Sequence, residues 1–313
     1  AVDCTLAFKI YLGIPAQYLN KQTGPVKVRL MQYNIGKLNM GNLLTSETHF
    51  LTTENYPTIL KNYKSLFGNY QPDIIGIEEF EYLRDIYTPD TDVVSQTADL
   101  NSELYARLYP YRAYDTGYTS KFGLLSKYPV LDSKRIRISF EYDFNGETRS
   151  EHGDIRYSHV KIGDKVCGIV VSAMVQGGEV GEGMAKRAAF YPLLLSYLDD
   201  DEYAFVICDA NHGGIRPEGD NSISSSVEEG NDIYTYILKP AGYESVHGSY
   251  FDWEATYISP RAVGRMAAVD NIYYKDNGKV VFCGFKVLSD QYNTTTNLLA
   301  SDHITIIADF FLV

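Results

Sequence analysis

Asp73-Ile74-Ile75-Gly76-Ile77-Glu78-Glu79 is a short apolar run that stops on a pair of carboxylates. An uninterrupted apolar stretch of this length, set off by Gly68-Asn69-Tyr70-Gln71-Pro72 before it, reads as a buried strand that delivers acids at its tip. The pattern returns in Ala204-Phe205-Val206-Ile207-Cys208, which runs into Asp209-Ala210-Asn211. Val26-Lys27-Val28-Arg29-Leu30-Met31-Gln32-Tyr33 instead alternates apolar and polar residues, the mark of a half-buried strand, and brings Asn34 to its end. A short apolar strand and turn is expected at 122–130, and further strands at 166–175, 268–274, 280–288 and 303–313. Asn145-Gly146 between β-prone flanks signals a hairpin. Helical spacing appears over 57–67, 93–108 and 184–198.

Buried and alternating strands interleaved with few helices predict an α/β (α+β) protein: two mixed β-sheets packed face to face as a sandwich with helices on the outside, in four layers. Neither an internal repeat nor an interdomain linker is evident, so residues 26–313 are expected to form one domain behind an amino-terminal extension at 1–25. The polar, Gly- and Ser-rich stretch 213–231 reads as a long surface loop bordering the site.

With 313 residues and 45% hydrophobic content the chain can bury a large core. No run approaches the ~20 apolar residues of a membrane span, so no transmembrane segment is expected. The net charge of −12 argues against tight, sequence-blind binding to long polyanions, since such affinity needs a Lys/Arg surface. Lys121, Lys127, Lys134, Arg135 and Arg137 make only a modest cationic cluster near the Gly123 strand. Four cysteines are too few for a disulfide scaffold, and Cys167, Cys208 and Cys283, in apolar runs, are expected in the core. The chain starts at Ala1 without a methionine, which fits a removed leader or tag and leaves the compartment open, a secreted or periplasmic location included. The triplet Asn293-Thr294-Thr295 is of glycosylation type, a pattern common by chance. Nothing points to a protein partner, and a monomer is expected.

Polar groups stand at or beside the ends of these strands: Asn34, Glu79, Asp209, Asn211, Asp270 and Asp302. A cluster of oxygens without thiols suits hard cations, Mg²⁺ or Mn²⁺ first and Ca²⁺ as an option. Each alone is an ordinary turn former or solvated acid; their joint order is what points to chemistry.

Met31-Gln32-Tyr33-Asn34, Asp73 to Glu79, Leu124-Leu125-Ser126-Lys127-Tyr128-Pro129-Val130, Cys208-Asp209-Ala210-Asn211, Val269-Asp270-Asn271-Ile272 and Ser301-Asp302-His303, in this order, resemble the motifs of the endonuclease/exonuclease/phosphatase family (the deoxyribonuclease I-like and exonuclease III-like superfamily). The resemblance implies a divalent-metal-dependent hydrolase of phosphate esters, whether phosphodiesterase, nuclease or phosphatase. It makes Glu79 the first metal ligand, with Asn34 and Asp302 in support. Asp209 would orient or deprotonate the attacking water, Asn211 would donate to the developing phosphorane oxygens, and His303, paired with Asp270, would touch the scissile phosphate. Trp253, in Phe251-Asp252-Trp253-Glu254, resembles a cleft-lining segment, with core packing as the competing reading. The expected substrate is a small phosphoester or short single-stranded nucleic acid.

Met174 departs from the pattern, standing where a His or Tyr contacting the phosphate is usual, and a thioether neither shuttles a proton nor donates. Three readings stand: His212 or His159 fills the gap; the functional partner lies within 176–182; or the protein is catalytically attenuated and binds a phosphorylated ligand or partner. Cys208 replaces a usual glycine, and Glu78 a usual glutamine, adding negative charge beside the proposed cation.

Overall fold

The computed structural model of the chain describes residues 24–35, 39–41, 48–50, 65–79, 108–114, 122–175, 181–211, 232–248, 256–258, 266–267, 269–288, 301 and 303–313. Asp302, His212, Trp253, Cys4, the triplet at 293–295, the loop at 213–231, nearly all of the 1–25 extension and most of the helices expected over 57–67 and 93–108 lie outside these residues.

In chain order the elements are β1 (Val26–Asn34), β2 (Asn39–Gly41), β3 (Thr48–Phe50), β4 (Ile74–Glu78), β5 (Tyr111–Ala113), β6 (Phe122–Ser126), β7 (Val130–Phe144), β8 (Glu147–Ile162), β9 (Lys165–Ala173), α1 (Glu182–Ser196), β10 (Tyr203–Asp209), a π-helical turn (Tyr234–Leu238), β11 (Tyr243–Ser245), β12 (Tyr257–Ile258), β13 (Met266–Ala267), β14 (Asp270–Lys275), β15 (Val280–Val287) and β16 (Ile306–Leu312). They form two six-stranded sheets, β15-β16-β1-β4-β6-β5 and β11-β14-β10-β9-β8-β7, with two small ribbons. Both are mixed, since β1–β4 and β9–β10 run parallel while their other pairings are antiparallel. The expected sandwich is what the chain builds.

An apolar cluster fills the space between the sheets, from Val28, Leu30, Ile74, Leu124 and Phe310 on one side to Ile169, Val171, Phe205, Ile207 and Ile272 on the other. A second cluster lies on the outer face of the second sheet, where α1 packs Phe190, Tyr191 and Leu194 with Ile138, Phe140, Val170 and Val206. On the outer face of the first sheet, helical residues 65–70 bring Phe67 edge-on to Tyr33, ring centroids 6.4 Å apart. Helices outside and sheets inside make the four layers.

That cover corrects the half-buried reading of β1. Its last five residues are all buried, because β1 is a central strand covered on both faces. Cys283 is a second correction: β15 is an edge strand, and the thiol is exposed, whereas Cys167 and Cys208 are buried as expected.

Strand parity places the site. Val26, Val28 and Leu30 point between the sheets, so the next two residues of that face are Gln32 and Asn34. By the same count Ile74 leads to Gly76 and Glu78, Phe205 and Ile207 lead to Asp209, and Asp270 is in register with Asp209 across β10–β14. Four strands thus end at one rim of the sandwich with polar groups facing inward. Gly76 lets the sheets close just below them, since a Cβ there would fall 2.6 Å from Ile207 Cγ2.

Asn145-Gly146 makes the predicted hairpin turn between β7 and β8, with φ of 53° and 80° and Phe144 opposite Glu147. Positive φ at both central residues is what a type I′ turn demands, and Asn-Gly supplies it at least cost.

Candidate active site

The buried rim holds one connected hydrogen-bond network. His303 Nδ1 lies 2.9 and 3.1 Å from the two Asp270 carboxylate oxygens, so Nδ1–H donates and Nε2 is turned away from Asp270. Gln32 Nε2 donates to Asp270 Oδ1 at 2.6 Å and reaches Glu78 Oε2 at 3.3 Å. Glu78 Oε2 also accepts the Asp209 backbone N–H at 2.8 Å. Asn34 Nδ2 donates to Asp209 Oδ2 at 3.3 Å, and the Asn211 N–H donates to Asp209 Oδ1 at 2.9 Å. Gln32, Asn34, Glu78, Asp209, Asp270 and His303 are all buried.

Loop groups fasten this network to the rim. Ser301 Oγ donates to the Asn34 carbonyl at 2.8 Å and accepts the His303 N–H at 3.0 Å, which fixes the approach of His303 to β1. Thr256 Oγ1 accepts the N–H groups of Val269 and Asp270, both at 3.0 Å. His247 Nε2 donates to the Asp270 carbonyl at 3.0 Å, and burial pushes its imidazole down to about 4, so this ring is a neutral brace.

Packing acids out of water has its expected electrostatic effect. Burial, followed by the charges of Asp209 and Asp270, holds Glu78 well above the ordinary carboxylate range. Asp209 is pushed up to about 7, first by burial and then by the Asp270 and Glu79 charges, against the pull of His303 and of the Asn211 N–H. A carboxylate poised near neutrality, held by an Asn amide, fits a group that takes or orients a proton.

Of the residues singled out from sequence, Asn34, Asp209, Asn211, Asp270 and His303 meet at this rim. Glu79 follows directly after β4, partly exposed, with φ 56°, and its charge acts on Asp209. Asn211 also takes a left-handed backbone, φ 52°. Non-glycine residues in that region cost about 1 kcal/mol or more each, and here both stand where strands hand over to the site.

Met174 is placed otherwise. Ala173 closes the inward face of β9, and the Met174 side chain, 1% exposed, belongs to the apolar cluster under α1. Its backbone serves the site: the N–H donates to the Asp209 carbonyl and the carbonyl accepts Asn211 Nδ2, both at 2.8 Å. His159 is not brought to the rim; its ring nitrogens lie 3.0 Å from Asp132 and 3.2 Å from Asp201.

Gln32, Glu78 as the inward-facing acid, His247, Thr256 and the role of Ser301 were missed from sequence. Gln32 carried a usable signal, being two residues before Asn34 and hence on the same face.

The donor set fits a hard cation. Asn34, Glu78, Asp209 and Asp270 offer oxygens beside the His303 imidazole, and Gln32 Oε1 and Glu78 Oε1 are buried without a hydrogen-bond partner among the described residues. Among the described residues no three His, Cys, Asp or Glu side chains form a cage. A cation held by one or two carboxylates and completed by water and substrate oxygens needs none.

No family model matches the chain, and no curated protein does. Solved structures do. Truncated TDP2 from Caenorhabditis elegans superposes with a TM-score of 0.54 at 17% identity, covering 91% of this chain and 98% of that one. The human Nocturnin catalytic domain with bound sulfate gives 0.53 at 15%, over 93% and 97%. The endonuclease/exonuclease/phosphatase from Bacteroides vulgatus gives 0.55 at 15%, over 92% and 100%.

Proposed function

We propose, on the premise that the chain has the endonuclease/exonuclease/phosphatase fold, that it is a divalent-metal-dependent hydrolase of phosphate esters working at the rim where Asp209 meets the Asp270–His303 pair. The observation that carries this reading is the joining of Asp209, Asn34, Asp270 and His303, drawn from both sheets, into one buried network.

Asp209, titrating at about 7, is ionised in a useful fraction at neutral pH and takes up the proton of a water aimed at phosphorus. Asn34 and the Asn211 N–H hold the carboxylate in one orientation. Asp270 fixes the His303 tautomer and compensates a positive imidazole against the phosphate. Glu79, with Asn34 and Asp302, is the proposed holder of Mg²⁺ or Mn²⁺, with Ca²⁺ as an alternative. A cation there supplies Lewis-acid polarisation of the phosphate and relief of charge on the leaving group. The Asn211 amide, which donates to the Met174 carbonyl, has a second N–H for the phosphorane oxygens.

A second reading, an attenuated enzyme that binds a phosphorylated ligand, is the one the sequence motivates at Met174. It is favoured by the end of β9, where Ala173 turns a methyl to the rim and the Met174 side chain sits in the core, so neither presents a polar group. Nitrophenol release from mono- and bis-nitrophenyl phosphate, with and without Mg²⁺ or Mn²⁺, tests both. Metal-dependent release that Asp209→Ala abolishes supports hydrolysis at this site; release that survives the substitution rejects it. No release from the wild type, with the folded protein still binding Mn²⁺, moves the conclusion to the attenuated reading.

A further inference from the structure

β7 ends the second sheet, and among the described residues no strand pairs with its outer edge. After a bulge between Val130 and Asp132 it runs to Phe144 without glycine or proline. Ile136, Ile138, Phe140 and Tyr142 pack beneath α1, so Arg135, Arg137, Ser139 and Glu141 turn to the inward side. β9 pairs with β8 only between Arg156 and Ile162, which leaves the rest of β7 and β8 as a projecting two-stranded ribbon. A long regular edge of this kind is a template for a further strand.

The hairpin decides which backbone groups look out from that edge. Phe144 and Glu147 close the two-residue Asn145-Gly146 turn and exchange both backbone hydrogen bonds, as such a turn requires. Bonded pairs then recur at every second residue, so Tyr142, Phe140 and Ile138 also bond to β8. Arg137, Ser139, Glu141 and Asp143, all exposed, direct their N–H and C=O groups away from β8.

This edge is complementary to itself about Ser139. Two antiparallel copies of β7 centred there set Arg137 opposite Glu141 of the partner subunit, twice by symmetry. The outward-directed backbone groups meet in the same register, in about six hydrogen bonds from Arg137 to Glu141. Centring the pair on Arg137 or on Glu141 would set like charges face to face. Arg137, held by Asp154 at 3.1 and 3.3 Å, keeps 59% of its side chain exposed, and Glu141 is exposed two residues on.

The other face of the ribbon answers to the same register. A cavity of about 540 Å³ is lined by Glu141, Tyr142, Asp143, Thr148, Ala185 and Ala189. Since it touches residues of both faces of the ribbon, it wraps around the outer edge of β7 beside α1. Tyr142 stands opposite Ile136 of the partner subunit, whose side chain lies on the α1 side and enters over the two alanines. Ala185 and Ala189, small and one helical turn apart, leave the room for it.

We propose that the outer edge of β7 joins a second copy of this chain antiparallel about a two-fold axis at Ser139, making one continuous sheet with both inward faces on the same side. The inference goes beyond the hydrolase reading and does not depend on it, and it departs from the monomer expected from the sequence.

Sedimentation velocity over micromolar concentrations tests it on the wild type, Glu141→Arg, Arg137→Glu and Ser139→Pro, each checked for its fold by circular dichroism. Glu141 is exposed and the Ser139 N–H points away from β8, so those two substitutions spare the β7–β8 ladder. The wild type is expected as a concentration-dependent dimer. Glu141→Arg sets arginines opposite each other and should weaken the dimer about tenfold or more, and Ser139→Pro should do the same by removing the edge donor. Arg137→Glu sets glutamates opposite each other and should also dissociate. An equimolar mixture of Arg137→Glu with Glu141→Arg should recover the dimer, since every acid then meets an arginine. The proposal is overturned by a wild type that stays monomeric and leaves the edge to another protein's strand, by a dimer that survives Glu141→Arg and Ser139→Pro, or by folded single variants that stay apart on mixing.

Discussion

Replacing Asp209 by Asn should stabilise the metal-free protein at alkaline pH while it removes catalysis. Burial raises this carboxyl from its ordinary 3.8 to about 7, so the fold binds its proton more tightly than the unfolded chain does. Such a group contributes stability that is complete below pH 3.8 and is lost as the pH rises through 7. By pH 8 the loss is roughly 4 kcal/mol for an isolated group. The Asp270 and Glu79 charges share in it, and Asn at 209 forfeits the hydrogen bond from Asn34, worth about 1 kcal/mol. A net gain of roughly 2 kcal/mol remains, or about 5 °C in Tm for a chain of this size. Near pH 5.5 wild-type Asp209 is already largely protonated in the fold, and roughly 2 kcal/mol of the advantage disappears. Thermal unfolding in EDTA at the two pH values, followed by circular dichroism, reads the difference. Tm below wild type at pH 8, or an offset that does not change with pH, would refute the assignment of the buried charge to Asp209. Hydrolysis with metal restored should fall by about 10²-fold or more, as expected on losing a positioned base.

Asp270→Asn removes the carboxylate from His303 and should lower kcat/KM by about 10²-fold; full activity in the folded variant would take the pair out of the mechanism. Gly76→Ala places a methyl against Ile207 and should cost about 1–3 kcal/mol in chemical denaturation. Adding Ile207→Ala to it should then cost less than Ile207→Ala alone costs the wild type, and strict additivity would show that the inter-sheet contact is not the cause. Gly146→Val, at φ 80°, should destabilise the β7–β8 hairpin by about 1–2 kcal/mol, and an unmoved Tm would contradict the type I′ turn.

Asn34, Asp209 and Asp270 were legible because apolar strand runs end abruptly beside them, and a strand tip has few alternatives to a loop over the sheet. Glu78 and Glu79 were not separable in that way. Both follow Ile77, and which one faces the neighbouring sheet depends on parity counted back through Gly76 and Ile74 to the inter-sheet core. Gln32 was hidden for a related reason: a polar residue in an alternating strand reads as solvent-facing until both sheet neighbours and the cover of helical residues 65–70 are known. Met174 was aligned to the site by its place after β9, yet the inward position is Ala173. Cys283 misled through composition, since an apolar strand at a sheet edge still shows one face to water. Thr256 and His247 act through long-range contacts to β14 and its approach, and no local pattern encodes a partner so far along the chain.

The bulge after Val130 makes the β7 edge sensitive to chain length in a way no point substitution is. With one residue fewer there, the alternation from Val130 runs unbroken through the same Asp132–His159 and Ser133–Ser158 pairs, so Arg135 and Arg137 keep the inward face and Ile136 and Ile138 stay under α1. The extra residue therefore sets the bend and twist of the edge strand and not which side chains line the rim, so a single-codon deletion at that spot would straighten β7 and leave Asp209 and His303 untouched.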